Sequence, residues 1–315
     1  MSSKETWAFE LPIVLGHEAA GTVEMVGEGV ASVCAGDRIV LSWMPNCGRC
    51  DYCITGRPHL CDHPPERSSR SGLWKGDLKL HLFGPVASFA QFTVVPEAGV
   101  IPIPREMPLD RASLLGCAVM TGVGAAIHTA RVRAGSTVAV FGCGGVGLNV
   151  IQGARLAGAG QIIAVDLSPE KLAFARRFGA SDVINGAEED PVEAIRALTA
   201  GRGVDYSFEA IGHLGAMEQA YASVRKGGLA VMVGIPPDGA RMSFPARLLN
   251  GERWLTGSQY GSANLRMDIP RLISLYLSGR LDLDTLITRR YALEEVNEAF
   301  AAMGGGQVGR GVIVF

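Results

Sequence analysis

The sequence contains 315 residues with a formal net charge of −2, and 48% of its residues are hydrophobic while 19% are charged. This length suffices for two domains of ordinary size, and the apolar content supports a sizeable core rather than disorder. The sequence has no Lys/Arg run or basic stripe, which argues against nucleic acid or an anionic membrane surface as a partner.

The sequence also indicates the cellular location of the protein and the redox state of its cysteines. No apolar run approaches the roughly 20 residues of a membrane span, and Met1–Glu10 lacks the apolar core of a signal peptide. We therefore expect a cytoplasmic protein. In a reducing compartment, its seven cysteines are expected to serve metal binding or catalysis rather than disulfides.

The first third of the chain has the pattern of an antiparallel, loop-rich β domain, which we place at residues 1–118. Short alternating runs predict its strands, and turn signals separate them. A cysteine-rich lobe at 47–61 and a polar stretch from Pro64 to Gly76 predict loops. The predicted strands are 21–26, 37–41 and 89–95.

The pattern changes at about Ser136, where short apolar strands begin to alternate with amphipathic helical stretches. Such alternation predicts an α/β fold with a parallel, doubly wound sheet and right-handed crossovers. We place this domain at 119–259 and interpret 260–315 as a return of the chain to the first domain. The predicted strands are 137–141, 161–165, 182–184, 204–208 and 229–233, with a further candidate at 254–257, and the predicted helices include 169–178, 192–199 and 216–224.

A glycine-rich motif follows the first of these strands. The stretch Gly-Cys-Gly-Gly-Val-Gly that begins at Gly142 matches G-x-G-x-x-G between an apolar strand and a helix, the context in which the pattern binds a dinucleotide. Gly142 permits a tight turn, Gly144 lets the backbone approach a pyrophosphate, and Gly147 allows close packing of helix on strand. The helix N-terminus, which includes Gly145 and Val146, would offer free N–H groups to the phosphates.

Asp166 ends the next predicted strand, 24 residues after Gly142. An acid in this place can accept hydrogen bonds from both hydroxyls of the adenosine ribose and repels a 2′-phosphate, so it favours NAD over NADP. Lys171, in the following helix, is a second candidate for the ribose. The alternative interpretation is a glycine-rich turn beside a surface aspartate and a solvated lysine.

Four cysteines are concentrated in the lobe at 47–61. Their spacing is C-x2-C-x2-C-x7-C, and four thiolates so close together can complete a tetrahedral zinc shell with no open position. Such a structural site orders a loop that is short of apolar residues. An iron–sulfur cluster also suits two short C-x2-C steps, although no Cys-Pro follows them. The predicted zinc ligands are Cys47, Cys50, Cys53 and Cys61.

Two further ligand candidates are His17, within Gly-His-Glu, and Cys117, within Gly-Cys-Ala. Each is weak when taken separately, because such a histidine is more often hydrogen-bonded than metal-bound and such a cysteine is usually only buried. Together with the cysteine lobe and the dinucleotide motif, they gain weight as ligands of a second metal.

These motifs together resemble the zinc alcohol dehydrogenase branch of the medium-chain dehydrogenase/reductase superfamily, over essentially the whole chain. The subgroup that oxidises glutathione- or mycothiol-linked formaldehyde is the one the chain resembles most. The resemblance implies a GroES-like antiparallel β catalytic domain and a Rossmann domain, with NAD and zinc as cofactors and assembly into homodimers or homotetramers. The motifs that carry it are Gly16-His17-Glu18-x-x-Gly21, the cysteine lobe, Gly116-Cys117-x-x-x-Thr121-Gly122, the glycine motif with Asp166, Asp205-Tyr206-Ser207-Phe208-Glu209 and Val233-Gly234-Ile235-Pro236-Pro237.

The resemblance also implies roles for individual residues. His17 and Cys117 would bind the catalytic zinc, and Glu18 would lie behind the metal and ligate it transiently. Thr121 would lie near the nicotinamide, and Trp43 would line the substrate pocket. The remaining implied cofactor contacts are Ile211, Val233, Ile235 and Arg310, the last of them at the pyrophosphate.

One part of the family pattern is missing from the sequence. Relatives carry an upstream Cys-x-Ser/Thr-Asp segment, whose cysteine is the third protein ligand of the catalytic zinc and whose hydroxyl begins a proton relay. Only fifteen residues precede Gly16 here, and none of them is cysteine. We therefore expect a chain that begins inside the catalytic domain, through a misplaced translation start, a natural truncation or artificial shortening. Such a chain would bind NAD and the structural zinc but would hold the catalytic zinc weakly.

Three functional hypotheses remain. The first is a zinc-dependent oxidoreductase that transfers hydride between NAD and a primary or secondary alcohol or an aldehyde, including a thiol adduct of formaldehyde. The second is a truncated remnant that binds NAD and structural zinc without oxidising alcohols. The third is a relative that reduces quinones or enoyl groups, which is disfavoured because those branches generally lack both the lobe cysteines and the zinc ligands.

Overall fold

The computed structural model describes residues 10–65, 73–306 and 308–315, and the chain divides into two compact units. We call Thr121–Ser262 the middle unit. The described residues up to Met120, together with Ala263–Phe315, are called the terminal unit. The boundaries drawn from the sequence, at 118 and 259, are close to the divisions after Met120 and Ser262.

The secondary structure of the described residues is as follows. The strands are β1 (Ile13–Val14), β2 (Ala19–Thr22), β3 (Arg38–Leu41), β4 (Leu73–Lys75), β5 (Leu78–Leu82), β6 (Val100–Pro102), β7 (Thr137–Phe141), β8 (Gln161–Asp166), β9 (Asp182–Asn185), β10 (Val204–Glu209), β11 (Val224–Met232), β12 (Trp254–Gly257), β13 (Ile287–Tyr291) and β14 (Arg310–Ile313). The α-helices are α1 (Asp51–Ile54), α2 (Leu109–Ser113), α3 (Ala118–Gly124), α4 (Gly145–Leu156), α5 (Pro169–Phe178), α6 (Pro191–Leu198), α7 (Leu214–Ser223), α8 (Leu265–Leu277) and α9 (Val296–Gly304).

The middle unit is built on a six-stranded sheet with the order β12-β11-β10-β7-β8-β9. Every neighbouring pair in it is parallel. This strand order is that of a doubly wound Rossmann sheet. The order in which successive strands are added reverses between β7 and β10, while all the strands stay parallel. The predicted α/β fold class is therefore confirmed for this unit.

Local sequence explains why the strands and helices of the middle unit form where they do. The strands β7 and β8 are short apolar runs that are buried over most of their length, as expected when both faces of a sheet are covered. The side chain of Ser168 caps α5 by accepting from the Lys171 N–H, and Gly179 ends that helix with a left-handed φ of 119°. Asp190 caps α6 by accepting from the first two N–H groups after Pro191.

The described part of the terminal unit contains three small sheets. The strands β2, β3 and β6 form an antiparallel sheet that buries Ile39, Leu41, Val86 and Val100. The strand β5 pairs in parallel with β1 and antiparallel with β4, while β13 pairs in parallel with β14. The predicted antiparallel β domain is confirmed, with two parallel pairs that the sequence pattern did not indicate.

The strand predicted at 89–95 is wrong. No strand forms there, because the alternating apolar side chains of Phe92 and Val94 are exposed instead of facing a core. The backbone N–H of Phe89 donates to the carbonyl of Leu15 at 3.0 Å. The segment is therefore irregular and begins with a backbone contact to the residues just before Gly16.

Two other predictions in this region shift. The strand predicted at 21–26 ends at Thr22, because Val23 exchanges hydrogen bonds with Gly36 and Asp37 in a turn. A β4–β5 hairpin forms at the end of the predicted polar loop. Residues 66–72 of that loop lie outside the described part of the chain.

Among the described residues, no single helix is both long enough and apolar enough to span a membrane. The bent pair Leu109–Gly116 and Ala118–Thr129 meets the requirement jointly, by length and composition only. Several of its apolar side chains, including Leu115 and Val119, are fully buried within the protein.

A charged network joins α2 to β13 within the terminal unit. Asp110 accepts hydrogen bonds from Arg111 Nη1 at 2.7 Å and from Arg290 Nη2 and Nε at 2.7 and 3.0 Å. Burial opposes ionisation of this carboxyl, but the bonds from Arg111 and Arg290 outweigh it and lower the pKa of Asp110. Because α2 leads directly toward Cys117, the network anchors the segment that carries this predicted metal ligand.

We expect Asp110→Ala to lower the free energy of unfolding by about 1–3 kcal/mol, because two arginines lose a carboxylate that is mostly buried. Since the fold lowers the pKa of Asp110, this stabilisation is present above the unfolded-state pKa and is lost as the pH falls through the folded-state pKa. Urea unfolding at neutral pH measures the effect.

The matched control is Glu298→Ala, because the Glu298 carboxylate is 65% exposed and lies 3.5 Å from Arg289 in the same unit. An exposed pair of this kind contributes little, so we expect a change within about 0.5 kcal/mol. Equal losses in the two variants would contradict an anchoring role for Asp110.

Candidate metal and nucleotide sites

The glycine motif forms the turn between β7 and α4 in the middle unit. Gly142 has a left-handed φ of 94°, and Gly144 is the N-cap of α4. A Cβ on Gly147 would collide with the Gly142 carbonyl, whereas a Cβ on Gly144 would meet nothing within 4 Å. The loop is therefore closed against its own strand but open on the side of Gly144. The first N–H groups of α4, at Gly145 and Val146, precede the helical hydrogen-bond ladder and suit an anion.

Asp166, at the end of β8, holds this turn in place. Its Oδ2 accepts from the Cys143 N–H at 2.8 Å, and its Oδ1 accepts from the N–H groups of Leu167 and Ser168 at 2.8 and 3.0 Å. A carboxylate has about four acceptor sites and these bonds use three of them, so one site, on Oδ2, is left for a ribose hydroxyl. Lys171 is half-buried in the first turn of α5.

The other cofactor contacts predicted in the middle unit lie after β10 and β11 and in α3. Ile211 and Ile235 are 56% and 64% exposed, whereas Val233 is 9% exposed and packs in the sheet. The two isoleucines are thus available to an apolar ligand surface. Thr121, in α3, is half-buried, and its place near a nicotinamide stays a prediction.

Glu209, the last residue of β10, is a candidate to which the sequence pattern assigned no role. Its side chain is fully buried, and its Oε1 accepts from the N–H groups of Ile211, Gly212 and His213 at 2.9, 2.8 and 3.3 Å. Burial raises the pKa of Glu209, and these three bonds oppose that effect. The signal that could have revealed it is an acidic residue at the end of an otherwise buried strand.

The four cysteines of the lobe come together around α1, in the terminal unit. Their sulfur atoms all lie within 4.8 Å of one another. The Sγ–Sγ distances are 4.0 Å for Cys47 and Cys53 and 3.9 Å for Cys50 and Cys61. These values are near the roughly 3.8 Å edge of a tetrahedron with zinc–sulfur bonds of about 2.3 Å. The cluster therefore fits a tetrahedral zinc ion.

The lobe thiols differ strongly in acidity. Hydrogen bonds, the largest from the backbone of Cys53, lower the pKa of Cys50 to about 6. Burial, reinforced by the neighbouring sulfurs, raises the pKa of Cys53 to about 12. Four thiols in such proximity cannot all be deprotonated near neutral pH without a compensating cation, and a divalent metal supplies that charge.

A second group of ligand atoms lies in the same unit. His17, Glu18 and Cys117 each offer one ligand atom, and these atoms lie within 4.8 Å of one another. Imidazole nitrogen, thiolate sulfur and carboxylate oxygen are the donors that zinc takes in proteins. The structure thus brings together the three residues predicted for the catalytic metal.

Two glycines allow the backbone segments of this group to approach. A Cβ on Gly16, which has a φ of 94°, would lie 2.8 Å from the backbone nitrogen of Phe89. A Cβ on Gly116 would lie 2.7 Å from the Leu41 carbonyl oxygen. Glycine thus lets the segment at residue 16 pack against the 88–89 turn and the segment at residue 116 pack against β3. The metal candidates His17 and Cys117 directly follow these glycines and are positioned by this packing.

Both oxygens of Glu18 have protein partners. Its Oε1 accepts from the Ala118 N–H at 2.7 Å, and its Oε2 pairs closely with Nη2 of Arg310. Both Glu18 oxygens are thus already engaged by protein donors, so we expect Glu18 to be a weaker metal ligand than His17 or Cys117. The predicted role of Arg310 at a pyrophosphate stays a prediction.

His17 is half-buried beside two aromatic rings. The ring centroids of Trp43 and Phe83 lie 6.1 and 5.5 Å from that of His17. Burial lowers the pKa of His17, with Arg310 acting in the same direction and Glu18 opposing it. The imidazole is consequently held in the neutral form that binds metals. Trp43, predicted as a pocket residue, thus lies next to the predicted metal ligand, and Phe83 was missed by the sequence pattern.

Two family models match the chain. The alcohol dehydrogenase GroES-like domain matches residues 1–105, and the zinc-binding dehydrogenase model matches residues 145–278. The first match contains His17, Glu18 and the cysteine lobe, and the second begins within the glycine motif.

Several solved structures are similar over nearly the whole chain. An alcohol dehydrogenase zinc-binding domain protein from Burkholderia ambifaria is 36% identical, with 96% of this chain and 84% of that chain covered and a TM-score of 0.90. Benzyl alcohol dehydrogenase from Acinetobacter calcoaceticus is 32% identical, with 98% and 85% covered and a TM-score of 0.90. A protein described as a zinc-binding dehydrogenase, from Sinorhizobium meliloti 1021 and bound to NADP, is 27% identical, with 98% and 86% covered and a TM-score of 0.81.

The chain belongs to the zinc-binding alcohol dehydrogenases of the medium-chain dehydrogenase/reductase superfamily. The family expected from the motifs is confirmed, together with its GroES-like and Rossmann domains. Its members are oxidoreductases that use zinc and a nicotinamide cofactor, which agrees with the two ligand clusters and the glycine turn of this chain.

We expect the purified protein to contain zinc in the cysteine lobe. The double variant Cys50→Ser/Cys53→Ser should lose about one zinc per chain, because a structural shell needs all four ligands. Metal analysis after gel filtration measures the loss, and faster proteolysis within the lobe should accompany it. Cys34→Ser is the control, since Cys34 is exposed and outside both ligand groups. Unchanged zinc content in the double variant would refute the site.

Proposed function

We propose that this protein is an NAD-dependent alcohol dehydrogenase that transfers hydride between NAD and an alcohol or aldehyde. The observation that carries the proposal is the convergence of His17, Glu18 and Cys117 on one point of the terminal unit. The open glycine turn and Asp166 in the middle unit support the cofactor assignment.

The two ligand clusters would have different roles, one structural and one catalytic. The four lobe cysteines leave no open position and would hold a structural zinc, whereas His17 and Cys117 would hold the catalytic zinc. When bound, zinc would act as a Lewis acid that lowers the pKa of an alcohol hydroxyl, and the nicotinamide would accept the hydride.

The charges around His17 and Cys117 suit this chemistry. As metal ligands, a neutral His17 imidazole and a Cys117 thiolate would together carry one negative charge, and the charge of the adjacent Glu18 is neutralised by Arg310. A divalent ion held there would keep a net positive charge and would therefore attract an alkoxide. Glu18 and Arg310 thus support the proposed site by neutralising each other.

The proposed cofactor is NAD rather than NADP. The carboxylate of Asp166, already oriented by three backbone N–H groups, would accept from a ribose hydroxyl and would repel a 2′-phosphate. The Sinorhizobium meliloti relative is bound to NADP, so cofactor choice within these structures is not uniform. The assignment to NAD therefore rests on Asp166 of this chain.

The proposed substrates are alcohols or aldehydes with an apolar or aromatic group. Trp43 and Phe83 beside His17 support this class, and one similar structure is a benzyl alcohol dehydrogenase. A thiol adduct of formaldehyde is the second candidate, because the motifs resemble the glutathione- and mycothiol-linked subgroup. A panel of benzyl alcohol, ethanol and S-hydroxymethylglutathione separates these classes.

We further propose assembly into a homodimer or homotetramer through the middle unit. The strand β12 is an edge of the six-stranded sheet, and its Trp254 and Leu255 are exposed. An exposed apolar edge strand is a template for pairing with another chain.

We expect His17→Ala and Cys117→Ser each to lower kcat/KM for the best alcohol by about 100-fold or more, since a Lewis-acid metal contributes several kcal/mol. The Kd for NADH, measured by NADH fluorescence, should change by less than about twofold, because ground-state binding of the cofactor does not depend on these two side chains. Cys34→Ser is the matched thiol control. If both variants oxidise alcohols as fast as the unaltered protein, the proposed mechanism is wrong.

We expect kcat/KM with NAD to exceed that with NADP by at least about tenfold, and Asp166→Asn to reduce this ratio, because the charge that repels the 2′-phosphate is removed. Initial rates with both cofactors measure the ratio. Asp182→Asn is the control, since Asp182 lies at the opposite end of the neighbouring strand β9. A ratio unaltered by Asp166→Asn would exclude Asp166 as the selecting residue.

A further inference from the structure

We infer that Glu209 is a positioning residue for the nucleotide. Its carboxyl holds in place the two loops that carry Ile211 and Ile235. The inference rests on the proposed function, since it concerns the same cofactor site. Glu209 itself is fully buried and would act through these loops rather than by touching the cofactor.

Glu209 bonds to both loops at once. Its backbone carbonyl accepts from the N–H groups of Val233 and Gly234 at 2.8 and 3.0 Å, at the beginning of the loop after β11. Its side chain accepts from three successive N–H groups, at residues 211 to 213, in the loop after β10. Glu209 thus accepts from five backbone N–H groups in the two loops.

The two loops also touch each other, backbone against backbone. A Cβ on Gly212 would collide with the Ile235 carbonyl, and a Cβ on Gly234 would collide with the Gly212 nitrogen. The same Cβ on Gly234 would lie 2.6 Å from Glu209 Oε2. Because the loops are packed this closely over the carboxyl, a shift of Glu209 must move Ile211 and Ile235 together.

Burial of the Glu209 carboxyl is energetically unfavourable. Within the described residues, Oε2 of Glu209 is buried without a hydrogen-bond partner, and burial raises the pKa of the group. An unsatisfied buried oxygen destabilises a fold, so an acid that served packing alone would be a poor choice here. Local violations of this kind concentrate at functional sites, and this one lies at the edge that carries the glycine turn.

Asp205 provides a matched comparison at the other end of the same strand. It accepts from the Thr137 N–H at 2.7 Å and from Arg225 Nε at 2.6 Å. It is therefore a carboxylate of β10 with comparable bonding, but at the end of the sheet that carries none of the predicted cofactor contacts. Loss of Asp205 should weaken the fold without reshaping the nucleotide loops.

The test compares Glu209→Ala, Glu209→Gln and Asp205→Ala. We expect Glu209→Ala to raise the Kd for NADH and the KM for NAD by at least about tenfold, since three loop N–H groups lose their acceptor. We expect kcat to fall by less than about threefold, which identifies a binding effect. Glu209→Gln offers an amide oxygen to the same donors and should restore the Kd to within about threefold.

The control Asp205→Ala should lower the thermal midpoint at least as much as Glu209→Ala while leaving the Kd within about twofold. If folded Glu209→Ala binds NADH like the unaltered protein, or if Asp205→Ala weakens binding equally, the positioning role is wrong. Should Glu209→Ala not fold, Glu209→Asp decides, because its shorter side chain withdraws the oxygen. An unchanged Kd in that variant also overturns the inference. Failure of the unaltered protein to bind NADH or NADPH would instead refute the proposed function.

Discussion

The bonds of the Glu18 carboxylate are the interactions on which the group formed by His17, Glu18 and Cys117 depends. Its two oxygens reach the N–H of Ala118 and the guanidinium of Arg310, which are separated from it by 100 and 292 residues in the chain. One half-buried side chain therefore joins the segment before β2, the beginning of α3 and the last strand. His17 and Cys117 each adjoin one of these bonded residues, so the distance between them depends on the same carboxylate.

Acidic residues serve a related purpose in the middle unit. Asp166 and Glu209 end the parallel strands β8 and β10, and each accepts from backbone N–H groups in the loops around it. Backbone donors beyond the end of a strand have lost the sheet partners that satisfied them, and they need another acceptor when buried. The two carboxylates supply it, and they thereby shape the edge of the sheet where a dinucleotide would bind.

The sequence was informative where a local signal was strong. The helix α5 and the strands β7 and β12 were predicted with the bounds that the structure has. A capping residue marks α5 and a buried apolar run marks β7, whereas β12 is an exposed edge strand. The strand predicted at 89–95 failed because alternation alone does not show whether a partner strand is present. The parallel pairing of β1 with β5 left no signal, since β1 contains only two residues.

What the sequence by itself determined was the chemistry of short motifs with fixed spacing. The cysteine lobe and the glycine turn each lie within fifteen or so residues, so backbone geometry nearly dictates their shape. The motifs already led us to expect that His17 and Cys117 meet, and the structure brings them together. Only the tertiary structure decided the other distant contacts: Glu18 with Arg310, Phe83 with His17, and Glu209 with the loops after β10 and β11. Contacts across such separations are set by packing and by glycines that let backbones approach, and no local pattern in the sequence records them.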